Sequence, residues 1–185
     1  VSVGLVGLGM VCESHLKAYS AHPDAKVLAI CDLDADRSKE IANKYGIPRT
    51  YTSYEQMLKD PEINTVDITT PTILHSPMAL AAAMAGKNIL CEKPFCLTLT
   101  EGQEVCEAAR SKGVTLMVGE SYIFMTSLKQ ARTLIEAGEI GKPQQMRQRF
   151  GSWVERPRVL ETGRPITDDH LGWRMDSKKA GGAGF

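Results

Sequence analysis

Two glycines and one aspartate near the start of the chain have the types and spacing needed to hold a phosphate and a ribose. An apolar run ends at Gly7, Gly9 follows, and an amphipathic stretch begins directly afterwards. Gly7 permits a tight turn, and Gly9 lets the backbone approach a pyrophosphate at the positive end of a helix. Asp32 follows Gly9 by 23 residues, after a second apolar run, where a carboxylate can accept hydrogen bonds from an adenosine ribose. The pattern predicts a dinucleotide site that also includes Leu8, Met10 and Val11; the alternative is a purely structural turn.

The carboxylate of Asp32 also favours NAD over NADP. Against the extra phosphate of NADP, one charge pair at ~4 Å and an effective dielectric of ~20 costs about 4 kcal/mol before screening. Arg37 and Lys39, on the next predicted helix, are the side chains that would offset this repulsion. Cys12 stands where the fingerprint usually has a third glycine or an alanine, and its small side chain still allows close packing of helix on strand.

A lysine suited to proton transfer lies in the sequence Glu92-Lys93-Pro94. The lysine comes shortly after an apolar run at 88–91. Pro94 fixes its own backbone φ and also restricts the backbone of Lys93. A lysine at the carboxyl end of a parallel strand points towards the ligand crevice of an open α/β sheet. There it can give a proton or a hydrogen bond to an alcohol or carbonyl oxygen. The alternative is a solvated Lys–Glu pair before a turn.

The elements needed to position these residues alternate along the chain. Short strands are expected at 3–6, 26–31, 49–51, 65–69, 88–91 and 114–118, and they alternate with helical stretches, which predicts a parallel sheet covered by helices on both faces. The fold expected is α/β: a doubly wound Rossmann domain over 1–120, then the start of a second α/β domain with a mostly antiparallel open sheet over 121–185. Ser76-Pro77 is expected to begin one helix, and Thr98 with Glu101 to form a capping box. A long strand is expected at 143–154.

Composition narrows the class of protein. Basic and acidic side chains balance at 22 each among 185 residues, so no net charge attracts nucleic acid or an anionic membrane. No apolar run approaches the ~20 residues that span a bilayer, and the chain opens without a secretory signal pattern. Five scattered cysteines fit neither a disulfide framework nor a metal site. We expect a reduced, cytoplasmic protein without a metal, and the two termini are typical of a piece of a longer chain.

Taken together, these motifs resemble the Gfo/Idh/MocA oxidoreductases, the family of glucose–fructose oxidoreductase and inositol dehydrogenase. The resemblance extends over nearly all of the chain. Its residues are Gly-Leu-Val-Gly-Leu-Gly at 4–9, His15, Cys-Asp at 31–32, Thr-Pro-x-x-x-His at 70–75, Ala-Gly-Lys at 85–87, Cys-Glu-Lys-Pro at 91–94, Leu-Ile-Glu-Ala-Gly-Glu-Ile-Gly at 134–141 and Trp173-Arg174 through Gly181-Gly182.

The resemblance implies an enzyme that uses NAD or NADP to oxidise or reduce a hydroxyl of a sugar, inositol or related polyol. By that likeness Lys93 is the catalytic lysine and also contacts substrate, and the Lys93–Pro94 bond is cis. The residues that line the nicotinamide half of the cofactor would be Thr70, Pro71, Thr72 and His75, with Glu92 beside them. Trp173 and Arg174 would reach the cofactor from the second domain. The full-length protein is expected to be a homo-oligomer.

The sequence also departs from the family pattern. Members usually have Asn where Thr72 stands, and an Arg and a His–Pro pair near Ile123 and Met125–Thr126, where this chain has other residues. Their catalytic Asp-x-x-x-His would come after Phe185, and Asp168, Asp169 and His170 are expected to be loop residues instead. Glu120 either faces the substrate or only begins the second domain, and His15 is expected to be structural.

Two other functions remain open from the sequence alone. One is a truncated or non-catalytic NAD-binding module. The other is a methyl donor–binding transferase, which shares the glycine turn and the acid but gives no reason for Glu92-Lys93-Pro94.

Overall fold

Six parallel strands and the helices between them make up most of the described chain. The structure is a computed structural model, and it describes residues 1–145, Arg147 and Lys178. The strands are β1 Ser2–Val6, β2 Lys26–Cys31, β3 Arg49–Tyr51, β4 Thr65–Ile68, β5 Asn88–Cys91 and β6 Leu116–Val118. The helices are α1 Cys12–Ala21, α2 Ala35–Tyr45, α3 Tyr54–Leu58, α4 His75–Met84, α5 Leu99–Lys112 and α6 Thr126–Glu136, with short 3-10 turns at Thr72–Leu74 and Ser121–Phe124.

All six strands form one sheet in the order β3-β2-β1-β4-β5-β6, and every neighbouring pair is parallel. The chain runs outwards from β1 to β3, returns, and then runs outwards on the other side from β4 to β6. This order is that of the doubly wound Rossmann fold, with its switch point between β1 and β4. The predicted fold class is therefore confirmed.

Alternate strand residues are buried on opposite faces of the sheet. Leu5 and Ile30 belong to a buried cluster with residues of α1 and α2. Their neighbours Val6, Ala29 and Cys31 belong to a second cluster, with residues of α3, α4 and α5. Burial on both faces explains why the strands read as continuous apolar runs in the sequence. Three of the five cysteines are buried, namely Cys12, Cys31 and Cys91, whereas Cys96 and Cys106 are half-buried.

Cys12 lies where α1 packs on the sheet, as its small side chain suggested. It is fully buried in the same cluster as Leu5 and Leu16. The replacement of the third fingerprint glycine is thus accommodated by close helix–strand packing.

Helix ends follow the sequence signals with one exception. Asp34 caps α2 by accepting from the amides of Asp36 and Arg37, and Gly46 ends this helix in the left-handed conformation. The expectation that Ser76 caps the next helix is wrong. The 3-10 turn that follows Pro71 leads directly into α4 at His75, so Ser76 lies inside the first turn and is buried.

The expected capping box at α5 forms in a shifted way. Thr98 accepts a hydrogen bond from the amide of Glu101, as expected. The Glu101 carboxylate accepts from the amide of Leu97 at 2.9 Å rather than from that of Thr98.

The chain divides into two compact units after Gly119. The described part of the second unit begins with a 3-10 turn and continues into α6, and the side chains of Tyr122, Ile123 and Phe124 are exposed. Residues 143–145 are not in a strand, contrary to expectation, and the rest of the expected strand, apart from Arg147, lies outside the described residues. Within the described part of the chain, no helix is long and apolar enough to cross a membrane.

Candidate functional site

Four of the segments singled out in the sequence lie at one edge of the sheet, where the strands have their carboxyl ends. Asp32 follows β2, the glycine turn follows β1, Thr69 and Thr70 follow β4, and Lys93 lies just beyond β5. These four strands are adjacent in the sheet in that order. At ~4.8 Å between neighbouring strands, Asp32 and Lys93 are separated by roughly 14 Å along this edge. An extended ligand is needed to contact both.

The turn after β1 requires glycine at position 7. Gly7 has φ +91°, and a Cβ there would lie 2.8 Å from the Thr70 methyl carbon and 2.9 Å from the backbone of Thr69. The Gly7 amide donates to the carbonyl of Cys31 at 2.9 Å, and the Thr69 hydroxyl donates to the Gly7 carbonyl at 2.6 Å. The turn is therefore fastened to both neighbouring strands.

Gly9 has a different reason to be glycine. A Cβ built on it meets no atom of the described residues within 4 Å, so packing among these residues does not require glycine here. The N-terminal end of α1, which carries the partial positive charge of the helix, begins shortly after it at Cys12. Open space beside a glycine near a helix N-terminus fits a pyrophosphate group.

Asp32 supports the glycine turn as well as facing the same edge of the sheet. Its Oδ2 accepts a hydrogen bond from the Leu8 amide at 2.6 Å, and its Oδ1 accepts from the Asp34 amide at 3.0 Å. Each carboxylate oxygen has a second acceptor position, so the group can still accept from a ribose hydroxyl. The structure thus fits the adenosine end of a dinucleotide at Asp32.

The other predicted residues of the turn are placed differently from one another. The Leu8 side chain is buried in the cluster beneath α1 and α2, so only its backbone faces the turn. The side chain of Met10 is exposed and that of Val11 is half-buried. Met10 is therefore the side chain of this segment that a ligand can contact most freely.

Arg37, which was considered as a partner for the phosphate of NADP, is already bound to carboxylates. Its guanidinium donates to Glu40 at 3.1 Å and to the buried Glu13 at 3.3 Å. Lys39 pairs with Asp36 at 3.4 Å across an exposed helix face. Neither cation is thus held in place beside Asp32.

His75 joins the segment after β4 to the lysine segment after β5. Its ring is buried, with Nε2 2.7 Å from the Thr70 carbonyl oxygen and Nδ1 2.7 Å from the Pro94 carbonyl oxygen. Carbonyl oxygens only accept, so a ring nitrogen that carries a proton donates to the carbonyl beside it. His75 therefore holds Thr70 and Pro94 together.

The residues between Thr70 and His75 differ in exposure. Pro71 is half-buried, whereas Thr72 is buried and its hydroxyl has no hydrogen-bond partner among the described residues. Thr72 is the position at which the sequence departs from the asparagine usual in the family.

Lys93 is exposed at the carboxyl edge of the sheet, and its bond to Pro94 is cis, as the resemblance implies. Its amide donates to Glu92 Oε2 at 3.1 Å. The lysine amine is thus carried on a segment tied to Glu92 and, through Pro94, to His75.

A buried polar cluster beneath this segment was missed in the sequence. His15 on α1 lies between two carboxylates, with Nδ1 2.8 Å from Asp67 Oδ2 and Nε2 3.1 Å from Glu92 Oε1. The Tyr19 hydroxyl donates to the same Asp67 oxygen at 2.9 Å. The available signal was Asp67 itself, an acid in the middle of the apolar strand β4.

Burial and charge have opposite effects on His15. Burial alone would lower the pKa of its ring, but the hydrogen bonds and charges of Asp67 and Glu92 raise this pKa to about 10. Burial likewise opposes ionisation of Glu92, yet the bond from His15 keeps the pKa of Glu92 below its usual value. The His15 ring thus has a partner at each nitrogen, and one of these partners is the carboxylate next to Lys93.

The remaining three predicted site residues lie outside the described part of the first unit. Trp173 and Arg174 lie outside the described residues. Glu120 is the first residue of the second unit, where its carboxylate accepts from the Tyr122 amide at 3.4 Å.

The sheet order, the glycine turn and the acid after β2 define the class of the protein as a dinucleotide-binding Rossmann protein. Residues 1–120 match the family described as "Oxidoreductase family, NAD-binding Rossmann fold" (GFO_IDH_MocA). The chain therefore belongs to the Gfo/Idh/MocA oxidoreductase family.

Individual relatives agree with this assignment. The chain is 38% identical over 143 residues to "Uncharacterized oxidoreductase YrbE" of Bacillus subtilis, covering 77% of this chain and 42% of the relative. It is 31% identical over 145 residues to "Myo-inositol 2-dehydrogenase" of Thermotoga maritima, covering 78% and 43%. The chain thus spans less than half the length of these relatives.

A solved structure shows the same arrangement of elements. It is an oxidoreductase from Agrobacterium radiobacter in complex with NAD+, L-tartaric acid and magnesium. The TM-score is 0.74 at 27% sequence identity, over 77% of this chain and 42% of the other.

Proposed function

We propose that the protein transfers a hydride between a nicotinamide cofactor and a hydroxyl-bearing carbon of a sugar, inositol or related polyol. The observation that carries the proposal is the placement of Lys93 at the same sheet edge as Asp32 and the glycine turn. The relative from Thermotoga maritima named as a myo-inositol 2-dehydrogenase supports the class of substrate.

The proposed roles divide along this edge. Gly9 and the start of α1 hold the pyrophosphate, Asp32 holds the adenosine ribose, and Thr70 and Pro71 lie beside the nicotinamide half. Thr72 and His75 support that segment from the buried side. A bound nicotinamide cofactor supplies the group that accepts or gives the hydride. Trp173 and Arg174 remain proposed cofactor contacts, and Glu120 a proposed substrate contact.

Lys93 is the proposed catalytic residue. During oxidation its Nζ takes the proton of the substrate hydroxyl while the hydride leaves the carbon that bears this hydroxyl. During reduction Nζ returns the proton to the carbonyl oxygen. Its exposed amine and its backbone, held through Glu92 and Pro94, suit this role.

NAD is the proposed cofactor rather than NADP. Asp32 would lie close to the extra phosphate of NADP, and the nearby Arg37 is bound by Glu13 and Glu40. The repulsion of ~4 kcal/mol estimated above is thus left largely uncompensated, and even half of it exceeds tenfold in affinity.

We also propose that residues 1–120 form the nucleotide-binding domain and that 121–185 begin a substrate domain. Self-association of the full-length protein and a cytoplasmic location stay predictions.

The substitution Lys93→Met tests the catalytic proposal in the full-length protein. We expect NADH fluorescence titrations to be unchanged and turnover of a panel of polyols and sugars with NAD to fall at least ~10²-fold. Lys112→Met, at the exposed end of α5, is the matched control and should keep full turnover. Unchanged turnover of Lys93→Met would refute the proposed role of this lysine.

A second candidate is a nucleotide-binding module without catalysis. It is favoured by one observation: the described residues proposed to contact the nucleotide all lie within 1–119, and Lys93 is the single proton-transfer group proposed among the described residues. NADH binding by the full-length protein without turnover of any panel substrate would support it.

A further inference from the structure

His15 is bound by carboxylates from two different strands. Asp67 comes from the middle of β4 and is fully buried, and Glu92 follows β5 and has 13% of its side chain exposed. The His15 ring lies between them with 16% exposed. A histidine whose only role was to pack α1 against the sheet would not need two acidic partners.

The two carboxylate partners favour a ring that is protonated on both nitrogens, and they raise the pKa of His15. Ionised carboxylates accept hydrogen bonds and donate none, so each ring nitrogen must donate to its partner. A ring that donates through both nitrogens is an imidazolium. The charged and titratable groups that face it are Asp67 from β4, Glu92 from the end of β5 and the Tyr19 hydroxyl from its own helix.

Glu92 transmits this arrangement to the lysine. One of its oxygens is 3.1 Å from His15 Nε2, and the other accepts from the Lys93 amide. Gly119 lies beside this carboxylate, since a Cβ built on that glycine would be 3.1 Å from Glu92 Oε1. His15 therefore determines where the carboxylate next to Lys93 is held.

We propose that His15 is a positioning residue, held as a cation between Asp67 and Glu92, that fixes Glu92 and thereby sets the position and proton affinity of Lys93. The inference rests on the proposed function, in which Lys93 transfers the proton. It also links the helix after the glycine turn to the lysine segment, because His15 lies on α1.

Charge gives the direction of the effect. With His15 present, the cluster of two carboxylates and one imidazolium carries a net charge of about −1. Replacing His15 with a neutral residue removes the positive charge and releases Glu92 towards the lysine. Lys93 should then hold its proton more tightly.

The first experiment measures protonation of His15 directly. Long-range proton–nitrogen NMR spectra of the four histidines at pH 8, assigned with His15→Gln, report how many ring nitrogens carry protons. We expect two for His15. A neutral His15 ring at this pH would overturn the inference.

The second experiment measures Lys93 without any substrate. Lysines are reductively methylated with carbon-13 and titrated by NMR, with the Lys93 signal assigned from Lys93→Met. In His15→Gln we expect the titration midpoint of Lys93 to move to higher pH by about half a unit or more. His22→Gln, the same substitution at an exposed histidine, should leave it unchanged. An unmoved midpoint in folded His15→Gln would overturn the inference.

Kinetics separates this inference from the proposed function. In the full-length protein we expect His15→Gln to lower kcat about tenfold or more while NADH affinity changes less than about threefold. If the native protein turns over no panel substrate, the proposed function fails; if Lys93→Met keeps its turnover, the proposed catalytic role of Lys93 fails. If Lys93→Met is inactive and His15→Gln has a native kcat, only the inference about His15 fails.

Discussion

At the residue scale, Asp32 combines two tasks in one side chain. It accepts backbone hydrogen bonds from Leu8 and Asp34, and it presents a negative charge at the end of β2. The first task shapes the glycine turn, and the second discriminates between cofactors. Asparagine separates the two in part, because it removes the charge and keeps one oxygen that can accept one of the two backbone hydrogen bonds.

We therefore predict that Asp32→Asn changes cofactor preference more than stability. Losing the charge removes repulsion of the NADP phosphate, and losing one acceptor weakens the contact to the ribose of NAD. The ratio of NADH to NADPH affinity should fall more than about tenfold. Fluorescence titration with both cofactors measures the ratio, and Asp24→Asn, in the exposed segment before β2, is the control. An unchanged ratio would argue against Asp32 as the discriminating residue.

Residues with a local backbone signature were predictable at this scale, and residues that act through distant contacts were not. Gly7 and Lys93 can be recognised from their neighbours in the sequence, because Gly7 belongs to a glycine turn and Lys93 precedes a proline. Glu13 and Asp67 find their partners on other elements. A single sequence shows an unexpected acid at each position but not the cation that compensates it.

At the element scale, the glycine turn allows a contrast between two similar substitutions. Gly7→Ala forces a side chain into a left-handed backbone against Thr69 and Thr70, and should destabilise the protein by at least about 2 kcal/mol. Gly9→Ala meets no atom and should leave the free energy of unfolding within about 0.5 kcal/mol. The added methyl group should nevertheless weaken NADH binding more than about tenfold.

Urea unfolding and NADH titration of the two variants measure these effects. Native NADH affinity in Gly9→Ala would show that no pyrophosphate lies against this glycine.

The contact between α1 and the two strands makes stability depend on pH. The pKa of His15 is raised from 6.5 to about 10 in the folded protein. The folded state binds this proton more tightly, so the contribution to stability is complete below pH 6.5 and is lost as pH rises towards 10. We expect the free energy of unfolding to decrease by up to about 2 kcal/mol between about pH 6.5 and 8.5.

Urea unfolding across this range, with His15→Gln for comparison, isolates the contribution. His15→Gln should lack this part of the decrease, whereas His22→Gln should retain it. Parallel pH curves for the native protein and His15→Gln would contradict the assignment.

Element boundaries were predictable where capping chemistry is local. Asp34, Gly46 and Thr98 lie at helix ends, and each satisfies backbone groups within four residues. Ser76 was misassigned because the segment after β4 is shaped by a tertiary contact, the His75 ring between two carbonyl groups. Sequence patterns contain no information about that contact.

At the scale of the whole molecule, the order of the strands decides which residues meet. Asp32 and Lys93 are far apart in sequence, and the reversal between β1 and β4 places both at one edge. The alternation of strands and helices predicted this fold because right-handed crossover connections leave few other arrangements. The orientation of the second unit depends on contacts that no local pattern specifies.

The thiols of Cys12, Cys31 and Cys91 are buried, so chemical labelling of these cysteines reports when the fold opens. Burial raises the pKa of the thiols of Cys12 and Cys91 to about 12 and that of Cys31 to about 11, so they resist alkylation while the fold is closed. Mass spectrometry after brief iodoacetamide treatment should find modification at Cys96 and Cys106 alone. The slow rate at which the other three cysteines are labelled would then measure how often the sheet opens. Saturating NADH should lower this labelling rate.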